Sequence, residues 1–429
     1  MMEKYLCTLS TALQLILILN NTVFASSAFM AKKGDYVLTG RNGDSKNLNI
    51  IMHVLPSSNG KHGRIFLGAE DQGGFYYTTG MNEHGLWYGS TGLYDGAALP
   101  ERHDIKNYHN KPVWPYELTA KVMEECATVD EAIAIYTKYF SPYWNGHTLF
   151  VDKQGNSVIV EFGEKDVAFV RRSGDHQVMT NFPNSDTLNA RWYDCYRYKT
   201  ADCMLSEGQE ISIEFFRSVC DAVHLGGANP TGLSTVYDVT NGNLYVYYFH
   251  NYEEVLVFNV NDELAKGEKF YRLSNYFRQT RANYPTRGES VSPSTVTFSW
   301  NGNAQGYDLY YSTDPDFFGA VRARTCTSVG LVRSSAGFSI LCIGVLVLGV
   351  GFQRRKRLLV LLSGVVMISA FASCTLEVPV ESPFAPSLIE HHLTVKNLQP
   401  NTQYYWKVIA QEPGDVRSQS SVQTFRTTG

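Results

Sequence analysis

Residues 26–44 read SSAFMAKKGDYVLTGRNGD. Extended, apolar-rich runs flank Lys33-Gly34-Asp35, a turn signal, so FMAKKGDYVLTG is expected to be a β-hairpin whose second strand leads into Gly40-Arg41-Asn42-Gly43-Asp44. Upstream, Lys4 precedes an apolar run that reaches Leu19, and Val23-Phe24-Ala25 places small or short residues at the −3 and −1 positions of a cleavage site. Residues 1–25 are therefore read as a secretory signal peptide, and cutting after Ala25 would make Ser26 the first residue. Ser26-Ser27-Ala28 offers a competing cut two or three residues later.

Beyond the hairpin, NIIMHVL, GRIFLGA and GFYYTTG read as further short strands. Thr128-Val129-Asp130-Glu131 has capping-box spacing ahead of the helical run AIAIYTKYF. LFVDKQGNSVIVEF predicts a hairpin turning at Gln154-Gly155-Asn156, and VYDVTNGNLYVYYF another at Asn241-Gly242, followed by EEVLVFNV. Helical periodicity returns in NARWYDCYRYKTADCML and SIEFFRSVCDAV. Hairpins interrupted by helices give an α+β domain over residues 26–280, with antiparallel sheets covered by helices.

The 429 residues carry a net charge of −4, with 27 Tyr and 23 Phe. The aromatic content suits pleated surfaces, and the lack of a basic field speaks against nucleic acid as a partner. Of the eight cysteines, Cys7, Cys342 and Cys374 sit in hydrophobic segments and the other five show neither CxxC spacing nor dense stapling. They are read as buried or free thiols, with a disulfide in an oxidising compartment as the alternative. His84 and His147 have no second ligand at metal spacing, so no metal is expected, and with no glycine-rich phosphate loop or nucleotide fingerprint in the sequence no cofactor is expected either. Asn82-Glu83-His84-Gly85 reads as a hairpin loop.

After Tyr284-Pro285 the pattern changes to that of a β-sandwich. Residues 281–318, with STVTFSWNGNAQGYDLYYSTDPDF, supply its first half, and residues 386–429 its second. Leu398-x-Pro400-x-Thr402-x-Tyr404-x-Trp406 resembles the back half of a fibronectin type III domain, with Tyr404 at the tyrosine corner. Residues 319–385 interrupt it with two apolar runs, 336–352 and 358–374, separated by a loop containing Arg354-Arg355-Lys356-Arg357. Runs of 17 residues approach the length that crosses a bilayer, and the cations sit where a cytoplasmic turn belongs. A hydrophobic helical hairpin in the membrane follows, with both domains exported. An alternative is that Arg354 to Cys374 imitates a lipoprotein signal.

Several landmarks in the first domain resemble one family. Ser26-Ser27-Ala28-Phe29, Gly34-Asp35 and Gly40-Arg41-Asn42-Gly43-Asp44 come first. Gly80-Met81-Asn82-Glu83-His84-Gly85-Leu86, SVIVEF over 157–162 and Val178-Met179-Thr180-Asn181-Phe182-Pro183 follow in order. Together they resemble the choloylglycine hydrolases and penicillin V acylases, N-terminal-nucleophile (Ntn) hydrolases grouped with linear amide C–N hydrolases and acyl-CoA:6-aminopenicillanic acid acyltransferases. That resemblance implies a four-layer αββα fold and a catalytic set of Ser26, Arg41, Asp44, Asn181 and Arg197. Ser26 stands where the family normally has a Cys nucleophile. A liberated α-amine, which ordinarily titrates at about pH 7.7–8.0, would serve as its base. Asp44 is expected to hold that amine and Arg41 to order Asp44. Asn181 is expected to contribute to the oxyanion hole, and a second donor should lie between Tyr88 and Gly92. The implied substrate is a small acylated amine or amino acid. Because Ser replaces Cys, a second expectation stands beside the enzyme: a weakened scaffold that binds partners through its sandwich.

Overall fold

The structure, a computed structural model, describes residues 26–71, 74–93, 115–139, 146–162, 167–187, 195–208, 210–304, 306–326, 388–411 and 416–429. The signal-like segment and the apolar runs 336–352 and 358–374 lie outside these residues. Among the described residues, no helix is long and apolar enough to cross a membrane.

The opening hairpin forms as the sequence predicts. β1 (Ser26–Lys33) pairs antiparallel with β2 (Tyr36–Asp44), and Gly34 takes the positive φ that its turn requires. The chain continues through β3 (Ile50–Leu55), β4 (Arg64–Asp71), β5 (Gly74–Asn82) and β6 (Trp87–Gly92) to helices α1 (Pro115–Glu125) and α2 (Val129–Lys138). Thr128 and Glu131 cap α2 reciprocally, as their spacing indicates. Next come β7 (Gly146–Val151), β8 (Ser157–Phe162), β9 (Val167–Arg171) and β10 (His176–Met179). Helix α3 (Tyr196–Glu207) and helix α4 (Ile213–Ala222), the latter capped by Ser212, precede β11 (Thr231–Asp238), β12 (Asn243–Tyr248), β13 (Asn251–Asn259), helix α5 (Val260–Ala265) and β14 (Lys269–Arg272).

Two sheets result. One has the order β10-β1-β2-β11-β12-β13 and the other β14-β3-β4-β5-β6-β7-β8-β9. Side-chain alternation decides what each face meets. Ala28, Met30 and Val37 point inward, against Met52, Ile65, Met81 and Trp87 of the second sheet. Phe29, Ala31 and Leu38 point the other way, against Ala201 and Leu205 of α3 and Phe216 and Val219 of α4. On the far side, Phe66, Tyr88 and Phe150 meet Leu118 and Val122 of α1 and Ala132 and Tyr136 of α2. The layers are thus helix, sheet, sheet, helix.

The C-terminal strands are β15 (Arg281–Tyr284), β16 (Glu289–Val291), β17 (Thr295–Gly302), β18 (Gly306–Ser312), β19 (Val321–Cys326), β20 (Ile389–Lys396), β21 (Gln403–Ala410), β22 (Ser418–Ser420) and β23 (Gln423–Thr427). A three-stranded sheet, β15-β17-β20, faces a second built on β19, β18, β21, β22 and β23, with Phe298, Trp300, Trp406 and Phe425 buried between them. Tyr404 accepts a hydrogen bond from the Gln399 amide at 3.0 Å through its hydroxyl. The second sheet continues into the first domain, because β22 pairs antiparallel with β13 through Glu254↔Ser420 and Leu256↔Ser418.

Candidate active site

Ser26 opens β1, opposite Gly43 of β2, and is buried. Strand parity sends its side chain to the inter-sheet side, as for Ala28 and Met30. Arg41 lies on the same side and reaches it, with Nη2 3.4 Å from Ser26 Oγ. The guanidinium is held in place by the Ser90 carbonyl of β6, accepting from Nη2 at 3.0 Å and from Nε at 3.2 Å. A side chain at Gly43 would bring its Cβ to 2.6 Å from Arg41 Nη1, so GRNGD keeps glycine beside the arginine. Gly40 answers a similar need, since a Cβ there would strike the Phe29 ring at 2.3 Å.

Arg197 approaches from the helix side. It projects from α3 and donates from Nη1 to the Ser26 carbonyl at 2.8 Å and to Asp44 Oδ2 at 3.2 Å. Its Nη2 donates to Asn181 Oδ1 at 2.7 Å. Asp44 also accepts the Thr231 hydroxyl. Burial raises the Asp44 carboxyl above its ordinary value, with Arg197, Thr231 and Arg41 pulling the other way. Burial likewise lowers the Arg41 guanidinium, against the pull of Asp44.

All five residues named from the sequence therefore meet around Ser26, but their contacts differ from the expected ones. The Ser26 nitrogen donates to Asn181 Oδ1 at 3.1 Å, in place of the expected Asp44. Asp44 is instead the counter-charge that braces Arg197. Arg41, expected to order Asp44, contacts the Ser26 hydroxyl. Asn181 turns its acceptor toward Ser26 and donates from Nδ2 to the Gly92 carbonyl at 2.7 Å. The stretch Tyr88–Gly92 does reach the site, but through the Ser90 and Gly92 carbonyls, which accept from Arg41 and Asn181.

Two histidines expected to be isolated have close neighbours. His147, fully buried on β7, places Nδ1 3.0 Å from Glu161 Oε2 and Nε2 2.6 Å from the Thr180 carbonyl, one residue before Asn181. Glu161 further accepts the amides of Asn184 at 3.0 Å and Ser185 at 2.6 Å. Burial would raise this carboxyl, yet the hydrogen bonds from His147 and Ser185 outweigh it and hold it below its ordinary value. Glu161 belongs to the quoted segment SVIVEF, but nothing in the linear pattern marks it as a partner of His147. His84 lies beside His62, which linear spacing does not reveal. The segment around it is a turn, as expected: Asn82 Oδ1 accepts the amides of His84 at 3.1 Å and Leu86 at 3.0 Å.

Residues 41–228 match the family of linear amide C–N hydrolases, choloylglycine hydrolase family. The match supports the Ntn-hydrolase group for the N-terminal domain, and an enzyme of the linear amide hydrolase kind. No curated protein matches the chain. Among solved structures, the chain is similar to penicillin V acylase from Agrobacterium tumefaciens at 20% identity and a TM-score of 0.41, covering 52% of this chain and 82% of that one. It is also similar to two variants of conjugated bile acid hydrolase from Clostridium perfringens. One is 17% identical with a TM-score of 0.45, covering 58% of this chain and 96% of that one. The other is 16% identical with a TM-score of 0.46, covering 57% and 95%.

Proposed function

We propose that the protein is an exported amidase that cleaves linear amide C–N bonds with Ser26 as an N-terminal nucleophile. The observation that carries this reading is the convergence of Arg41, Asn181 and Arg197 on the hydroxyl, nitrogen and carbonyl of one buried serine. Signal cleavage after Ala25 converts the Ser26 nitrogen into an α-amine. The neutral amine takes the Oγ proton as Oγ attacks the substrate carbonyl carbon. The tetrahedral intermediate collapses, the C–N bond breaks, and the proton passes from the ammonium to the departing nitrogen. Water then adds to the acyl ester, giving its proton to the amine, and the carboxylic acid leaves as Oγ regains a proton. Asn181 Oδ1 holds the amine and is itself fixed by Arg197, which Asp44 braces, while Arg41, held by the Ser90 carbonyl, places positive charge beside Oγ. The oxyanion role of Asn181 follows from the family resemblance. The substrate class is a small N-acyl amine or N-acyl amino acid.

The C-terminal sandwich is read as a fibronectin type III module, a reading supported by its two sheets and the Tyr404–Gln399 bond. Residues 336–352 and 358–374 are read as a membrane hairpin that tethers both domains on the outer face. Fractionation tests the tether: the full chain should require detergent, and a chain lacking residues 327–387 should not.

N-terminal sequencing of the exported protein tests the nucleophile first, since a chain beginning at Phe29 has no Ser26. A panel of N-acyl amides then separates enzyme from scaffold. Ser26→Ala should abolish turnover, while Ser26→Cys should retain or raise it and form an acyl-enzyme at residue 26. An inactive wild type alongside an active Ser26→Cys would favour the binding protein.

A further inference from the structure

The turn between β5 and β6 carries Glu83 and His84, and the β3–β4 connection brings His62 to it. His84 Nε2 lies 3.1 Å from His62 Nδ1, and Glu83 Oε1 lies 3.8 Å from His62 Nδ1 and 4.0 Å from His84 Nε2. The carboxylate oxygen is therefore too far for a good hydrogen bond to either ring, while the two ring nitrogens are within hydrogen-bond distance of each other, and the three ligand atoms cluster together. Tetrahedral bonds of about 2.1 Å, as zinc makes to imidazole nitrogen and carboxylate oxygen, set ligand atoms about 3.4 Å apart, and these three separations straddle that spacing, so sub-ångström side-chain shifts would seat the ion.

The arrangement is braced from behind. Glu83 Oε2 accepts the Ser57 hydroxyl at 2.7 Å, and Oε1 accepts the Gly63 amide at 2.9 Å. The backbones of the two loops are tied by Glu83 N–H to the Gly63 carbonyl at 2.8 Å, and His62 N–H is tied to the Glu124 carbonyl of α1 at 2.8 Å. The side chains are partly exposed, 27% for His62, 29% for Glu83 and 44% for His84, which leaves an open approach for an ion and a water as fourth ligand. Asn82 and Leu86 close the turn behind them.

We propose that His62, Glu83 and His84 form a binding site for a divalent transition-metal ion of the zinc type. Two imidazoles and one carboxylate suit such an ion better than the all-oxygen shell of calcium or magnesium. The site is separate from Ser26. β6 runs from this turn at Trp87 to Gly92, whose carbonyl accepts from Asn181, so the metal would sit at the opposite end of the strand from the serine. Its role is to clamp the β3–β4 loop to the β5–β6 turn.

The test uses the full chain and added Co2+, then Zn2+. Co2+ should bind one ion per chain and develop the intense visible bands of a four-coordinate centre, and Zn2+ should displace it. His62→Ala and His84→Ala should each abolish the bands, and Ser57→Ala, which removes a bond to the Glu83 ligand, should weaken affinity about 10–100-fold. A wild-type chain that takes up no stoichiometric Co2+, or that shows octahedral bands alone, overturns the proposal whatever the variants do. Bands that persist unchanged in a folded His62→Ala, His84→Ala double variant overturn it as well. Amidase activity is not the readout, so a failure here is distinguishable from a failure of the Ser26 mechanism.

Discussion

Arg197 donates from Nη2 to Asn181 Oδ1 at 2.7 Å, and because a guanidinium has no acceptor, this bond dictates which way the Asn181 amide faces. The same guanidinium serves the Ser26 carbonyl and Asp44. One arginine thereby sets the Ser26 backbone, the orientation of the Asn181 amide and the counter-charge together.

Removing that arginine should cost stability before it costs anything else. Arg197→Ala leaves the fully buried Asp44 carboxylate without its guanidinium partner, though the Thr231 hydroxyl still donates to it, and breaking a buried ion pair on one side destabilises by about 3–5 kcal/mol. Denaturant unfolding should show it. Adding Asp44→Asn should recover part of the loss, because the stranded charge goes with it. Arg197→Lys, with one point of charge for three acceptors, should fall between wild type and Arg197→Ala. Additive losses in the double variant would show that the two side chains do not depend on one another.

Asn181 offers two roles that two substitutions separate. Asn181→Asp keeps an acceptor for the Ser26 nitrogen and for Arg197 but removes the Nδ2 donor. Asn181→Ala removes both. If the amide serves as an oxyanion donor, both variants should lose about two to three orders of magnitude in kcat. If holding the amine is its larger contribution, Asn181→Asp should stay well above Asn181→Ala, with its pH–rate profile displaced. Steady-state rates on one acyl amide across pH distinguish the two outcomes.

Glu161 makes an acid-side prediction. Its carboxyl is held below its ordinary value in the folded protein, so the folded state binds its proton less readily than the unfolded chain. The stability it contributes is complete above the unfolded value, about 4.3, and is lost as pH falls through the lower folded value. Glu161→Gln should therefore be less stable than wild type at neutral pH, and the gap should narrow below about pH 4.3. Thermal unfolding as a function of pH measures this. A gap that stays constant on acidification would place the titration elsewhere.

Local grammar makes much of the first domain readable. Gly34, Gly155 and Gly242 mark turns, and Thr128 with Glu131 marks a helix start, because each reports a constraint satisfied within a few residues. The residues around Ser26 can be named because the family's landmarks fall in order along the chain. Their contacts cannot be read that way. Whether Asp44 or Asn181 meets the Ser26 nitrogen depends on which face of β2 Asp44 occupies, on how the chain leaves β10 at Asn181, and on where α3 docks. The same holds for His62 and His84, which are brought together by two loops on neighbouring hairpins. It holds again for His147 and Glu161, paired across adjacent strands β7 and β8.

The pairing of β22 with β13 has a consequence for anyone who would study the first domain alone. Ser418 to Ser420 occupies the hydrogen-bonding rim of β13 over Glu254 to Leu256, so the sandwich acts there as an edge guard. Glu254 lies fully buried at this seam and accepts the amides of Arg278 at 2.7 Å and Gln279 at 2.8 Å, the very segment where a truncation near residue 280 would fall. Cutting there would bare an unpaired strand and loosen the cover over a carboxyl that burial has pushed above its ordinary value. Such a fragment should self-associate through β13, and a lysine placed at Val257, an exposed position on that strand, would be the remedy to try before concluding that the domain cannot fold.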